Sequence, residues 1–145
     1  MIHSEFYIAC IHNKWKPGVS EILFNRFKTY NKGNFNFEPM HLWVVEEGYE
    51  EGIKFIEEKV FSELYPFLEN PEFHNQPTEY VDPQFEHING EYIRDIVERI
   101  IQENPRLKKT VRKVKQEYIS EAVADPYFLE SARMYPEKYL EDYYK

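Results

Sequence analysis

The chain of 145 residues has one cysteine, five glycines and no apolar stretch long enough to span a bilayer. Each shortage excludes a class. The single thiol, Cys10, has no partner for a disulfide and no second thiolate for a zinc site, so a reducing, cytoplasmic setting is expected. Between Ala9 and Ile11, Cys10 reads as a small core residue. No glycine-rich phosphate loop and no Ser-His-Asp ordering stands out. The segment Met1-Ile2-His3-Ser4-Glu5 lacks the basic and apolar regions of a signal peptide. The five histidines have no close metal-ligand spacing. His3, His12, His41, His74 and His87 read mainly as surface or loop residues.

Aromatic residues are plentiful: 12 Tyr and 11 Phe can furnish the core of one domain with a helical extension. The net charge of −8 is unevenly spread. Residues 34–105 carry 17 acidic and four basic side chains, whereas 106–115 carry six basic and none acidic. An acidic chain with a local basic surface leaves both nucleic-acid and protein partners open.

Residues 5–11 and 40–45 are apolar at both parities, the pattern of strands covered on both faces. His12-Asn13 reads as a turn. Residues 14–19 read as a second strand, which Pro17 places at an edge or a bulge. Helices are expected over 20–30, with Ser20 as N-cap, over 53–64, over 91–101, and over the basic stretch 106–120. Residues 69–89 read as a loop holding the strand-like Thr78-Glu79-Tyr80-Val81. The order describes a small α/β layer with a helical C-terminal part.

Two charged residues break the helical pattern. At about 100° per residue, Glu57 falls inside the arc of Ile53, Ile56, Val60, Phe61 and Leu64, while Glu58 points away. Arg26 lies on the arc of Ile22, Phe27 and Tyr30. A carboxylate aimed inward needs a cation, a metal or a donor. One reading is a structural Arg26–Glu57 ion pair. The other is half of an active site, with a guanidinium for an anion and a carboxylate for a metal.

The order of these residues resembles the GIY-YIG nuclease family, in the branch whose second motif begins with lysine. The resemblance covers roughly residues 5–85. Glu5-Phe6-Tyr7 stands at the first motif, with Tyr7 retained and the glycine and isoleucine absent. Lys16-Pro17-Gly18 stands at the second, with Gly18 retained and Pro17 in place of isoleucine. Arg26 matches the helix arginine, Tyr30 the following position and Glu57 the metal-binding glutamate. Thr78-Glu79-Tyr80-Val81 resembles the acidic-aromatic stretch of that branch. Asn70 and Asn75 are candidates for a further asparagine.

The resemblance implies a GIY-YIG-like fold, a small three-stranded sheet flanked by helices, over residues 1–85, with a helical extension over 86–145. It implies a metal-dependent endonuclease, a phosphodiester hydrolase acting on nucleic acid, first of all DNA. One magnesium or manganese ion would sit on Glu57. Arg26 would clamp the phosphate, and Tyr7 would position or deprotonate water, its pKa lowered by Lys16 or Tyr30. Lys108, Lys109, Arg112 and Lys113 are candidate nucleic-acid contacts, set against a solvated helix face. The alternatives are a GIY-YIG-fold binding module without catalysis, acting through protein or nucleic-acid contacts, and an acidic interaction protein whose Arg26–Glu57 pair is structural.

Overall fold

A computed structural model describes residues 2–33, 36–70 and 78–143. Strands β1 (Glu5–Ile11) and β2 (Lys14–Ser20) form a hairpin. Its turn puts His12 and Asn13 at φ 51° and 65°, the left-handed pair that a two-residue connection requires. Helix α1 (Leu23–Lys32), strand β3 (Phe37–Val45) and helix α2 (Glu51–Leu64) follow. Pro66 ends α2 in a short 3₁₀ turn, Tyr65–Phe67. Then come α3 (Gly90–Gln102), α4 (Pro105–Thr110), β4 (Val111–Val114), α5 (Ile119–Ala124), α6 (Phe128–Met134), α7 (Pro136–Tyr139) and β5 (Leu140–Glu141).

The protein is α/β, with an open antiparallel sheet in the order β2-β1-β3-β4-β5. Five strands replace the expected three. The two additional strands come from the segment read as a helical extension, and they extend the sheet beyond β3. Pro17 sits in β2, an edge strand, where its missing N–H costs no ladder bond on the open side.

The double-sided apolarity of β1 and β3 has its expected consequence. Phe6, Ile8, Trp43 and Val45 face a core shared with Ile53, Ile56 and Val60 of α2 and with Ile93, Val97 and Ile101 of α3. Tyr7, Ala9, Ile11, Leu42 and Val44 face a second core, with Leu23 of α1 and Ala122, Phe128 and Leu129 of α5 and α6. Each fully buried Ile or Leu contributes about 1.5–3 kcal/mol of apolar transfer.

The expected basic helix over 106–120 is corrected. Asn104 caps α4 through its side chain, Pro105 starts it, and the helix stops at Thr110. Spacings of four and three place Leu107, Val111 and Val114 on one helical face. In the strand that forms instead, Val111 and Val114 fall on opposite faces, and each enters a different core. Burial on both sides of the sheet outweighs the local helical pattern.

The cap expected at Ser20 is also corrected. Ser20 ends β2, and its hydroxyl donates to Glu5 Oε1 at 3.0 Å. The same oxygen accepts the Leu23 N–H at 2.7 Å, so a carboxylate from β1 caps α1. His41, read as a surface or loop residue, is buried in β3 with Nε2 3.2 Å from Glu91 Oε1. Cys10, read as core, is only half-buried.

Candidate active site

Tyr7 lies directly opposite Gly18 in the β1–β2 ladder and is 0 % exposed. Two residues before Gly18, on the same face, Lys16 turns back over Tyr7. Its Nζ donates to the Tyr7 hydroxyl at 3.2 Å and lies 5.4 Å from the ring centroid. Gly18 leaves the space for both. A Cβ there would lie 2.5 Å from the Tyr7 hydroxyl oxygen and 2.9 Å from Lys16 Nζ. The glycine is required for close approach rather than for its backbone angles.

Helix α1 supplies Arg26 and, one turn on, Tyr30. Phe37 stacks flat on Tyr30 at 5.0 Å and meets Tyr7 edge-on at 5.5 Å, which fixes both phenols. The Tyr30 phenol lies between those of Tyr7 and Tyr80 and influences the ionisation of both. Burial pushes the Tyr7 phenol up to about 12, against the opposing influence of the Arg26 charge and the Tyr30 hydrogen bond. The expectation that its neighbours hold Tyr7 below its ordinary value is therefore corrected: desolvation wins. Lys16 also pairs with the exposed Glu79 carboxylate at 3.4 Å.

Glu57 comes from α2, in the layer on the other face of the sheet. It is half-buried and Glu58 is exposed, as the arc required. Glu57 lines a cleft of about 420 Å³ with His3, Val19 and Ile53. Burial and the nearby Glu79 carboxylate raise its pKa, while His3 and Lys16 oppose the rise. Among the described residues Arg26 and Glu57 form no ion pair with each other, so the structural-pair reading fails at its central contact. A half-buried carboxylate repelled by a second one is a seat that a hard cation relieves, and its oxygen donors suit magnesium or manganese. Among the described residues no group of three or more His, Cys, Asp and Glu side chains is placed to hold a metal. An ion at Glu57 would therefore keep most of its water shell.

Tyr7 and Lys16 are in direct contact, Arg26 is in electrostatic reach of Tyr7, Tyr30 in electrostatic reach of Lys16, and Glu57 likewise of Lys16. Glu79, Tyr80 and His3 join them. The stretch 78–81 marks the first two in the sequence, whereas His3 carries no signal beyond its residue type. Asn70 is exposed, and Asn75 and His74 lie outside the described residues. The four basic candidates are not brought together. Lys108 and Lys109 sit on α4, and Arg112 and Lys113 on β4 point to opposite faces. Lys113 is buried with its Nζ 5.7 Å from the Trp43 ring centroid. Among the described residues no helix is long and apolar enough to cross a membrane. No family model, no curated protein and no solved structure matches the chain.

Proposed function

We propose that this chain is a metal-dependent endonuclease of the GIY-YIG type, hydrolysing phosphodiester bonds in nucleic acid, with DNA as its first candidate substrate. The observation that carries the reading is the Tyr7 hydroxyl. It is held by Lys16 at 3.2 Å, its ring is packed edge-on against Phe37, and the Arg26 guanidinium is in electrostatic reach and unpaired with any described carboxylate. An uncommitted guanidinium beside an oriented hydroxyl is an arrangement for an anion and the water that attacks it.

In this reading Arg26 binds the non-bridging oxygens of the scissile phosphate, where negative charge grows during attack. The Tyr7 hydroxyl orients the attacking water and is itself aligned by Lys16 and Tyr30. Glu57 would hold one magnesium or manganese ion, which when bound would supply positive charge to the phosphate and the departing oxygen. An incoming phosphate competes with Glu79 for Lys16.

The complete burial of Tyr7 favours a second reading, a binding module of the same fold without catalysis. Cleavage decides between them. The full chain is incubated with supercoiled, linear and single-stranded DNA and with RNA, in magnesium, in manganese and with chelator. Metal-dependent cleavage that Tyr7→Phe abolishes supports the nuclease. A folded wild type that cleaves none of them supports the binding module.

A further inference from the structure

The chain has 26 acidic and 18 basic side chains, and six of the latter are arginines. With carboxylates in excess, a surface arginine is expected to find one. Arg94 pairs with Glu91 and Asp95, Arg99 with Glu63 and Glu103, and Arg106 with Glu51. Arg26, Arg112 and Arg133 form no ion pair with any described residue. Arg26 belongs to the candidate active site. The other two line one cavity of about 340 Å³, between the ends of β3 and β4 and helices α6 and α7.

We infer that this cavity binds the phosphate or carboxylate group of an organic anion, gripped by Arg112 and Arg133. Strand alternation puts Arg112 on the same face as Val44, its partner in the ladder. Arg133 reaches in from α6, and its Nη2 donates to the Val45 carbonyl at 2.9 Å. That anchor fixes the guanidinium plane, while its buried Nε–H has no partner among the described residues. Two guanidiniums with donors to spare match the bidentate geometry of an oxyanion. Glu46 and Glu47 also line the cavity, but both are exposed and neither is ion-paired to either arginine. Pro136 and Leu140 supply an apolar wall, and the volume falls in the range of about 300–1,000 Å³ typical of small-molecule sites. Tyr7, Lys16, Tyr30 and Glu57 do not line it, so the site stands apart from the nuclease reading.

The oxyanion has two sources, a free small molecule or the backbone of a nucleic acid. The test follows the arginine Nε–H signals of the ¹⁵N-labelled full chain. The probes are inorganic phosphate, a nucleoside monophosphate, an aromatic carboxylate and a short oligonucleotide. The expected result is saturable movement of the Arg112 and Arg133 signals, with affinity at least about tenfold weaker in Arg112→Gln and unchanged in Lys59→Gln. Movement with the small anions assigns the free source, and movement with the oligonucleotide alone assigns the backbone. Because Arg133 also holds the Val45 carbonyl, Arg133→Lys is the variant for that position. It keeps the charge, removes the fork and is expected to weaken binding. No movement with any probe overturns the site. Binding that Arg112→Gln leaves unchanged overturns it equally.

Discussion

Gly18 faces Tyr7 across the β1–β2 ladder with no room for a side chain: a Cβ at residue 18 would stand 2.5 Å from both Cζ and the hydroxyl oxygen of Tyr7. Neither the strand backbone nor the stacked Phe37 and Tyr30 leave the phenol an easy retreat. Gly18→Ala is therefore expected to push Tyr7 off Lys16. The overpacking should cost about 1–3 kcal/mol of stability. Urea unfolding measures that cost. Cleavage should fall as well, because the Cβ would displace both the Tyr7 hydroxyl and Lys16 Nζ. A variant as stable and active as wild type would show that the close approach is not needed.

Glu5 predicts a pH dependence of folding. It is buried while capping α1, and desolvation pushes its carboxyl up to about 7, against the hydrogen bonds from Ser20 and Leu23 and the charge of Arg133. The folded pKa lies above the unfolded one, so the folded state binds the proton more tightly. Its contribution is complete below about pH 4.5 and is lost as pH rises through about 7. The expected loss is about 3 kcal/mol across that window. Urea midpoints measured across it should decline in wild type relative to Glu5→Gln, whose amide does not titrate. Parallel curves for the two proteins would refute the assignment.

Much of the fold was legible because it rests on local patterns. The five apolar positions of α3, Ile93, Ile96, Val97, Ile100 and Ile101, are all buried as their spacing requires. Pro66 stops α2 where its missing N–H demands. The failures share one cause, a partner distant in sequence. Ser20 yields the cap to Glu5, and Val111 and Val114 serve two cores rather than one helical face. In the site, Glu57 was legible as the inward carboxylate. Its supposed partner Arg26 was not, because α1 and α2 lie against different faces of the sheet and periodicity within one helix cannot show which face. The rise in the Tyr7 pKa was hidden for a related reason, since burial depends on Phe37 and Tyr30 arriving from other elements.

Glu57 and Glu58 are neighbours in sequence with different surroundings, and metal binding should separate them. Glu57 is half-buried beside a cleft, and Glu58 is exposed. In a manganese titration read by electron paramagnetic resonance, Glu57→Gln should remove the specific site and Glu58→Gln should leave it nearly intact. His3 lines the same cleft, so His3→Gln measures whether a nitrogen donor adds to the carboxylate. The assignment of Glu57 fails if Glu58→Gln is the variant that loses the ion.

Arg26→Ala tests the chemistry itself. A guanidinium at the reacting phosphate stabilises charge that develops in the transition state, so its loss should lower kcat more than it raises KM. Losing such a donor commonly costs on the order of 100-fold or more in rate. Distant cations contribute uniform binding instead. Neutralising Lys108 and Lys109 on α4 together with Arg112 on β4 should raise KM and flatten the salt dependence while sparing kcat, if these separate cations touch nucleic acid. Lys113 is left out because it is buried over Trp43. The wild type, Arg26→Ala and the triple variant are compared at several salt concentrations, each first shown to be folded. A kcat unaffected by Arg26→Ala would remove the arginine from the reaction. A kcat lowered by the triple variant would place at least one of these cations inside the reacting site rather than away from it.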